Sequence, residues 1–209
     1  MKVLAINGSP HKGGNTAKAM HVMAEVLREQ GVEVEEVHIG SKVIRGCMGC
    51  NACYRNRDMK CIHGDDPVNE LLPLAAQADG LILGAAVHYA GINGTMKSFL
   101  DRLVYLAEAN GGLLKGKVGA AITACRRTGG SATMAGLQYY FPIAGMYSAG
   151  STYWSVVHGH GKATVEGDEE GLITVKNQAL YMAHLLKMKE QAGLPEPELF
   201  KVRFTNFMR

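Results

Sequence analysis

The sequence contains no hydrophobic run long enough to cross a membrane. A membrane-spanning helix needs about 20 apolar residues, and no stretch of this chain approaches that length. Near the amino terminus, the apolar run at residues 3–6 is too short for the core of a secretory signal peptide, and no cleavage pattern follows it. We therefore expect a cytoplasmic protein with no membrane partner, in a compartment where structural disulfides are rare.

The chain also lacks a dense concentration of positive charge. Its formal net charge is +3, and its basic residues are scattered, with short clusters around residues 55–60 and at Arg126-Arg127. Proteins that bind nucleic acid usually carry a denser basic stripe, so we expect no nucleic-acid partner. No Ser-His-Asp arrangement or pair of catalytic carboxylates is recognisable, and hydrolysis therefore has no specific support.

What the chain does contain is a regular alternation of short apolar runs and longer amphipathic segments. The apolar runs predict strands at residues 2–7, 32–38, 80–87 and 117–124, with a fifth strand within 145–155. The amphipathic segments predict helices at residues 15–30, 65–77, 94–108, 131–141 and 169–189. In the second helix we expect Asp65 or Asp66 as the N-cap and Pro67 in the first turn. This alternation implies one α/β domain with a parallel sheet covered by helices on both faces.

The segment that follows the first predicted strand, residues 7–16, has the features of an anion-binding loop. It lies where ligands bind in parallel sheets, beyond a strand's carboxyl end, and it offers hydroxyls at Ser9 and Thr16 next to a helix N-terminus. Gly14-Asn15 stand where a Walker motif requires Lys and Ser/Thr, and the pattern G-x-G-x-x-G is absent. A monophosphate is therefore the expected ligand. The alternative is an ordinary turn with Asn15 as the helix N-cap.

Several further motifs follow that loop in a recognisable order. With the loop itself, these motifs are Asn7-Gly8-Ser9-Pro10-His11-Lys12-Gly13-Gly14-Asn15-Thr16, Cys47-x-x-Cys50-x-x-Cys53, Asp65-Asp66, Val87-His88-Tyr89, Lys97, Asp101-Arg102, Gly129-Gly130, Tyr153-Trp154 and Val157-His158-Gly159. From residue 1 to about 190, the chain resembles the NADPH-dependent FMN reductase and iron–sulfur flavoprotein family. The resemblance implies a flavodoxin-like three-layer sandwich with a five-stranded parallel sheet over residues 1–190.

The resemblance also implies that FMN is bound by three loops. The first loop would hold the phosphate with Ser9, His11, Lys12, Asn15 and Thr16. The second would lie along one edge of the isoalloxazine ring with Ala86, Val87, His88, Tyr89, Ala90 and Gly91. The third would face the pyrimidine side of the ring with Cys125, Arg126, Arg127, Thr128, Gly129 and Gly130. Two segments depart from the family pattern: Ala86-Val87-His88 replaces the usual Pro-Val-Tyr, and Arg126-Arg127 interrupt a loop that is often Gly-rich.

These departures leave alternatives for individual side chains. An arginine near flavin N1 would stabilise the anionic reduced flavin, or both arginines simply form a solvated turn. His88 either hydrogen-bonds the flavin or an acceptor, or it fills the space of the usual tyrosine. Cys125 is either close to the flavin or a small buried hydrophobe.

Four cysteines form a compact run with the spacing C-x₂-C-x₂-C-x₇-C, at Cys47, Cys50, Cys53 and Cys61. The resemblance to the iron–sulfur flavoproteins implies that they hold a 4Fe–4S cluster, because such clusters are held by closely spaced cysteines. A cluster-free loop, a zinc site and redox-active thiols are the alternatives.

Other polar and aromatic residues have less specific expectations. Asp101 and Arg102 are expected to form a structural ion pair. Tyr153 and Trp154 would line the flavin pocket or a subunit interface, or belong to the core. Residues 191–209 leave the helical pattern but retain apolar side chains, and we expect this tail to pack on its own domain or on a partner subunit. The apolar residues of the tail are Leu199, Phe200, Val202, Phe204 and Phe207.

The expected function is an FMN-dependent oxidoreductase that takes hydride from NAD(P)H and passes electrons to a small-molecule or protein acceptor. The family resemblance also implies a homodimer or homotetramer. One alternative is an iron–sulfur flavoprotein or flavodoxin-type electron carrier without nicotinamide activity. A third is a flavin-binding regulatory or scaffold protein without turnover.

Overall fold

The computed structural model describes residues 1–161 and 164–200. Within these residues the strands are β1 (Lys2–Asn7), β2 (Glu33–His38), β3 (Gly80–His88), β4 (Gly91–Ile92), β5 (Val118–Cys125), β6 (Tyr147–Ser148) and β7 (Val156–His158). The α-helices are α1 (Asn15–Glu29), α2 (Ala52–Asn56), α3 (Val68–Gln77), α4 (Gly94–Ala109), α5 (Gly130–Gln138), α6 (Tyr140–Ile143) and α7 (Glu169–Ala192), with a 3₁₀ turn at Val165–Gly167.

The strands form one largely parallel sheet in the order β2-β1-β3-β5-β6. Beside this path, β7 also pairs with β5 in parallel, and β4 pairs with β3 in antiparallel orientation. The α/β prediction with a parallel sheet is confirmed. The prediction of five strands is a minor error, because the described residues contain seven.

Both extra strands have a simple origin. The fifth position of the sheet is filled by two short segments, since β6 pairs with Val118 and Gly119 whereas β7 pairs with residues 123–125 of β5. Between them the chain leaves the sheet, and the rings of Tyr153 and Trp154 pack edge to face with centroids 4.7 Å apart. The remaining strand, β4, is the return arm of a hairpin that the apolar pattern does not reveal.

Helices cover the sheet on both faces and define two apolar layers. One layer packs α3, α4 and α5 against the sheet around Phe99 and Phe141. The other packs α1 and α7 around Met23 and Met182. Leu4 and Ala5 of β1 belong to opposite layers and are fully buried. Continuous apolar strands of this kind are typical of a sheet that is covered on both sides.

Three helices begin or end three residues away from the prediction, and one of them, α7, ends at Ala192 and not at residue 189. The helix predicted at residues 131–141 ends at Gln138, and a separate turn, α6, follows it. The helix predicted from residue 65 begins at Val68, with Pro67 as its N-cap. The side chain of Asp66 still binds an amide at the start of the helix, because its Oδ1 accepts a hydrogen bond from the Val68 amide at 3.2 Å.

Among the described residues, no helix is both long and apolar enough to cross a bilayer. Beyond α7, the described part of the tail runs back along that helix, where Glu196 accepts a hydrogen bond from Lys189 at 2.6 Å. Leu199 and Phe200 are exposed. The predicted contacts of Val202, Phe204 and Phe207 lie outside the described residues, and the division into a domain at 1–190 and a tail stays a prediction.

Candidate functional site

The loop after β1, residues 8–16, lies at the point where the strand order reverses. The chain passes from β1 to β2 on one side, and the next strand, β3, pairs with β1 on the other. The loop is joined to this switch point directly, since the Gly8 amide donates to Gly84 O at 2.8 Å. Ligands of open α/β sheets bind in the crevice at this place.

The first turn of α1 has backbone amides without a hydrogen-bond partner among the described residues. The first backbone bond of the helix runs from Lys18 N to Gly14 O at 3.1 Å, so the amides of Asn15, Thr16 and Ala17 precede the intrahelical ladder. The N-cap residue is Gly14, and it has no side-chain capping bond. The alternative in which Asn15 is the N-cap is therefore wrong. These amides and the helix dipole favour an anion.

The side chains predicted to hold the phosphate occupy two environments. Ser9 and Thr16 are buried, whereas His11 and Lys12 are exposed. The Oδ1 of Asn15 accepts a hydrogen bond from Val165 N at 2.9 Å. This bond connects the loop at residues 8–16, which we call the phosphate loop after its predicted role, to the 3₁₀ turn that precedes α7.

Two residues that the sequence analysis did not single out hold the phosphate loop from either side. His38, at the end of β2, lies 2.8 Å through Nε2 from Ser9 O. Asn93, at the start of α4, donates from Nδ2 to Gly8 O at 2.7 Å and is buried. Gly40 lies so close that a Cβ there would be 1.8 Å from Ser9 O. The sequence signal available for His38 and Asn93 was their position at the end of a strand and the start of a helix. That both contact the same loop follows from the tertiary structure.

The second loop is the turn of the β3–β4 hairpin. Val87 pairs with Ile92 and His88 with Gly91, which leaves Tyr89 and Ala90 as a two-residue turn. Both turn residues have positive φ, 49° and 57°, as in a type I′ turn that normally contains Asn and Gly. Tyr89 is fully exposed. Strained non-glycine residues of this kind are often found at ligand sites.

The third loop, residues 125–130, contacts the second. Gly129 has φ +90°, and a Cβ there would lie 2.8 Å from Ala90 Cα and 2.9 Å from Val87 Cγ1. Arg126 and Arg127 are exposed. The structure therefore brings the predicted ring-binding loops together at the same end of the sheet as the phosphate loop.

A cavity of about 370 Å³ adjoins the third loop. Its walls include Cys125, Arg127, Tyr153, Trp154 and His158, together with residues of the first turn of α7. Cys125 is 5% exposed, and burial is the main cause that raises the pKa of its thiol. It is thus a small buried residue, as one alternative stated, and its proximity to the flavin stays a prediction.

All four cysteines of the compact run border one small cavity of about 20 Å³, together with residues of α4. They belong to the cysteine loop, which we define as residues 45–63. Cys47 and Cys50 are exposed, Cys53 and Cys61 are half-buried, and all four are free thiols. Burial raises the pKa of the Cys53 thiol.

No set of three or more His, Cys, Asp or Glu side chains in residues 1–161 and 164–200 is arranged to hold one metal ion. One ion draws every ligand atom to bonding distance of itself. A cluster instead spreads its thiolates over several irons. The zinc alternative therefore lacks a preformed ligand set in the described chain. The cavity of about 20 Å³ has room for about one water molecule, so the cluster stays a prediction.

A buried arginine lies beneath the cysteine loop. Arg102 of α4 is 2% exposed and forms an ion pair with the equally buried carboxylate of Asp66. Burial lowers the pKa of Arg102, but hydrogen bonds with Asp66 and Cys61 outweigh it, so the pKa lies above its usual value. The predicted pair of Asp101 with Arg102 is wrong, because Asp101 pairs with Lys97 at 2.6 Å. Neighbours along a helix point to different sides.

Comparison with known proteins places these features in context. Residues 1–161 match the family model described as NADPH-dependent FMN reductase. An iron–sulfur flavoprotein of Methanocaldococcus jannaschii is 32% identical over 195 residues, which cover 90% of this chain and 98% of that protein. An iron–sulfur flavoprotein of Methanosarcina thermophila is 33% identical over 190 residues, with coverage of 90% and 96%.

A solved structure has the same fold at low sequence identity. A flavodoxin from the domain Archaea superposes with a TM-score of 0.58 at 17% identity, covering 90% of this chain and 99% of that chain. The prediction of a flavodoxin-like fold is thereby confirmed.

Proposed function

The chain belongs to the NADPH-dependent FMN reductase family, and from this premise we propose that it is an oxidoreductase that binds FMN, oxidises NAD(P)H and passes the electrons to an acceptor. The observation that carries the proposal is the convergence of three predicted flavin loops at the carboxyl ends of β1, β3 and β5. The phosphate loop lies at the strand-order switch, and Gly129 joins the other two loops. When bound, FMN supplies hydride and electron chemistry that no side chain can perform.

We propose that the phosphate loop fixes the cofactor by its phosphate. The unpaired amides at the start of α1 face the anion, and Ser9 and Thr16 add hydroxyl donors on the buried side. His11 and Lys12 add positive or polar groups on the exposed side. The contacts of His38 and Asn93 hold the loop backbone in place before the ligand arrives.

The ring would then lie against the surface that the second and third loops, which contact each other at Gly129, form together. His88 and Tyr89 border it from the hairpin, and the backbone at Gly129-Gly130 borders it from the start of α5. Arg126 and Arg127 are exposed on this side, and their charge favours a negative charge on the reduced ring. We propose the adjoining cavity with Tyr153 and Trp154 as the place of the nicotinamide or of a small-molecule acceptor.

The cysteine loop supports a second, more specific role. Its four thiols share one cavity, and closely spaced cysteine thiolates are the usual ligands of iron–sulfur clusters. Two relatives that align along nearly their whole length are named iron–sulfur flavoproteins. We propose that Cys47, Cys50, Cys53 and Cys61 hold a 4Fe–4S cluster, which supplies one-electron transfer when bound.

The test of the cofactors is the composition of protein purified without oxygen. We expect about one FMN and about four irons and four sulfides per chain. FMN without iron, even after reconstitution with iron and sulfide, would leave a flavin reductase and contradict the cluster. No FMN after reconstitution would contradict the central proposal.

The test of the activity is steady-state oxidation of NADH and NADPH with a quinone, free flavin or ferric iron as the acceptor. Turnover supports the reductase. Electron exchange with protein partners, without nicotinamide oxidation, would support the electron-carrier alternative, and flavin binding with no redox turnover would favour the regulatory one. Oligomeric state and cytoplasmic location stay predictions.

A further inference from the structure

We propose that Arg102 is a positioning residue that clamps both ends of the cysteine loop and places a fixed positive charge beside Cys61. The inference rests on the proposed cluster for its functional meaning, although the clamp itself is a property of the protein without iron.

The clamp is visible in the contacts of a single guanidinium group. Nη1 donates to Arg45 O at 3.2 Å, two residues before the first cysteine. Nη2 donates to His63 O at 2.7 Å, two residues after the last cysteine. Because both carbonyls bind the same rigid group, the ends of a 19-residue segment are held side by side on α4.

The cysteine loop needs such support because its backbone is not in a relaxed conformation. Arg57 and Met59 have φ of 51° and 61°, values that cost free energy for residues other than glycine and asparagine. Two further contacts hold its middle: Tyr105 donates to Asn51 Oδ1 at 2.6 Å, and the Met59 amide donates to Asn110 Oδ1 at 3.0 Å. Both partners lie on or just after α4, so the loop follows that helix over its length.

An arginine is suited to this position and a lysine is not. The planar fork of arginine reaches the Asp66 carboxylate and both carbonyls at once, whereas an ammonium group is a single point charge. A buried ion pair adds little to overall stability, since desolvation offsets most of the attraction. The pair therefore contributes by fixing where the loop begins and ends.

The same guanidinium borders the cysteine cavity, and Cys61 lines that cavity as well. Net charge and hydrogen bonds to the sulfurs set the reduction potential of an iron–sulfur cluster. A positive group beside one ligand sulfur favours the reduced cluster, which carries one more negative charge. Beside Arg102, a bound cluster would therefore have a higher midpoint potential than beside an uncharged side chain.

The clamp is tested in the iron-free, full-length protein by the rate at which iodoacetamide alkylates each cysteine, mapped by mass spectrometry. In R102K we expect alkylation of Cys53 and Cys61 to become at least about tenfold faster, from the loss of charge-assisted hydrogen bonds. The exposed Cys47 and Cys50 are internal controls and should react at unchanged rates. R28K is the matched variant, because Arg28 also bonds a carboxylate and a carbonyl, Glu36 and Val34. Equal rates in R102K and the wild type would overturn the clamp.

The charge effect is tested in the iron-loaded protein by a redox titration that follows the signal of the reduced cluster. In the double variant D66N/R102Q, which removes both charges of the pair, we expect a more negative midpoint potential. R102K keeps the positive charge, and its potential should remain close to that of the wild type. An unchanged potential in the double variant would overturn the charge effect, and R102K would still report on the clamp if the double variant failed to fold.

The two proposals can fail separately. If the wild type binds no iron after reconstitution, the cluster proposal fails, while the alkylation rates still decide whether Arg102 clamps the loop. If the wild type binds iron and R102K retains it with unchanged alkylation, the cluster stands and the clamp fails.

Discussion

At the scale of single residues, Thr16 illustrates how burial and position combine. It is the second residue of α1 and is 2% exposed. Its hydroxyl is expected to donate to the flavin phosphate, and a hydrogen bond to a charged group contributes about 1.5–3 kcal/mol. In T16V we therefore expect FMN to bind at least about tenfold more weakly, measured by titrating the apoprotein and following flavin fluorescence.

The matched control is T123V. Thr123 is also fully buried, and its hydroxyl has no hydrogen-bond partner in the described part of the chain. Replacing an unpaired hydroxyl by a methyl group is close to neutral, so FMN affinity should not change. Equal affinity in T16V and T123V would contradict the assigned role of Thr16.

Tyr140 gives a prediction about pH. Its hydroxyl donates to Asp101, and Lys97 lies 5.7 Å from its ring. Burial, and then the Asp101 carboxylate, raise the pKa of Tyr140 well above its usual value near 10. Because the folded pKa is the higher one, this stabilisation is complete below about pH 10 and is lost as the pH rises further.

In Y140F we expect the free energy of unfolding to fall less steeply with rising pH than in the wild type. The difference in slope should approach about 1.4 kcal/mol per pH unit above pH 10. Urea unfolding at pH 9, 10 and 11 measures it. Identical slopes in Y140F and the wild type would refute the role of Tyr140.

At the scale of elements, the β3–β4 hairpin contains strain that a glycine would remove. Ala90 has φ 57°, a conformation that costs about 1–2 kcal/mol for residues with a Cβ. In A90G we expect a melting temperature about 2–4 °C higher for each kcal/mol released. Thermal unfolding followed by circular dichroism tests this.

An alanine-to-glycine substitution within a helix should lower the melting temperature instead of raising it. Ala132 is exposed within α5, where glycine is about 1 kcal/mol less favourable than alanine. A132G should therefore melt at a lower temperature than the wild type. Destabilisation in A90G as well would show that the hairpin turn is not strained in solution.

At the scale of the whole molecule, binding of FMN stabilises the fold by mass action. A ligand at about 100 times its Kd adds about 2.7 kcal/mol to the free energy of unfolding. We expect FMN at that concentration to raise the melting temperature of the apoprotein by about 5–10 °C. Riboflavin, which lacks the phosphate, should give a much smaller shift at the same concentration. Equal shifts would contradict phosphate binding at the start of α1.

The layers of the fold, and the position of the loop after β1, could be predicted from local sequence patterns. Continuous apolar runs and amphipathic helices are local patterns, and they predicted β1, α1, β3 and α4 to within one residue at either end. The phosphate loop follows from the same logic, because a short polar loop between a buried strand and a helix has one location in a parallel sheet.

The distant residues that hold the loop after β1 could not be predicted, because they meet it only in the folded chain. No local pattern relates His38 or Asn93 to the loop they contact, since those bonds span 29 and 85 residues. The predicted ion-pair partner of Arg102 was wrong for the same reason. The observed partner, Asp66, is 36 residues away, whereas the predicted one, Asp101, is adjacent. The direction of a side chain depends on how α3, α4 and the cysteine loop pack together, and packing is a property of the folded chain.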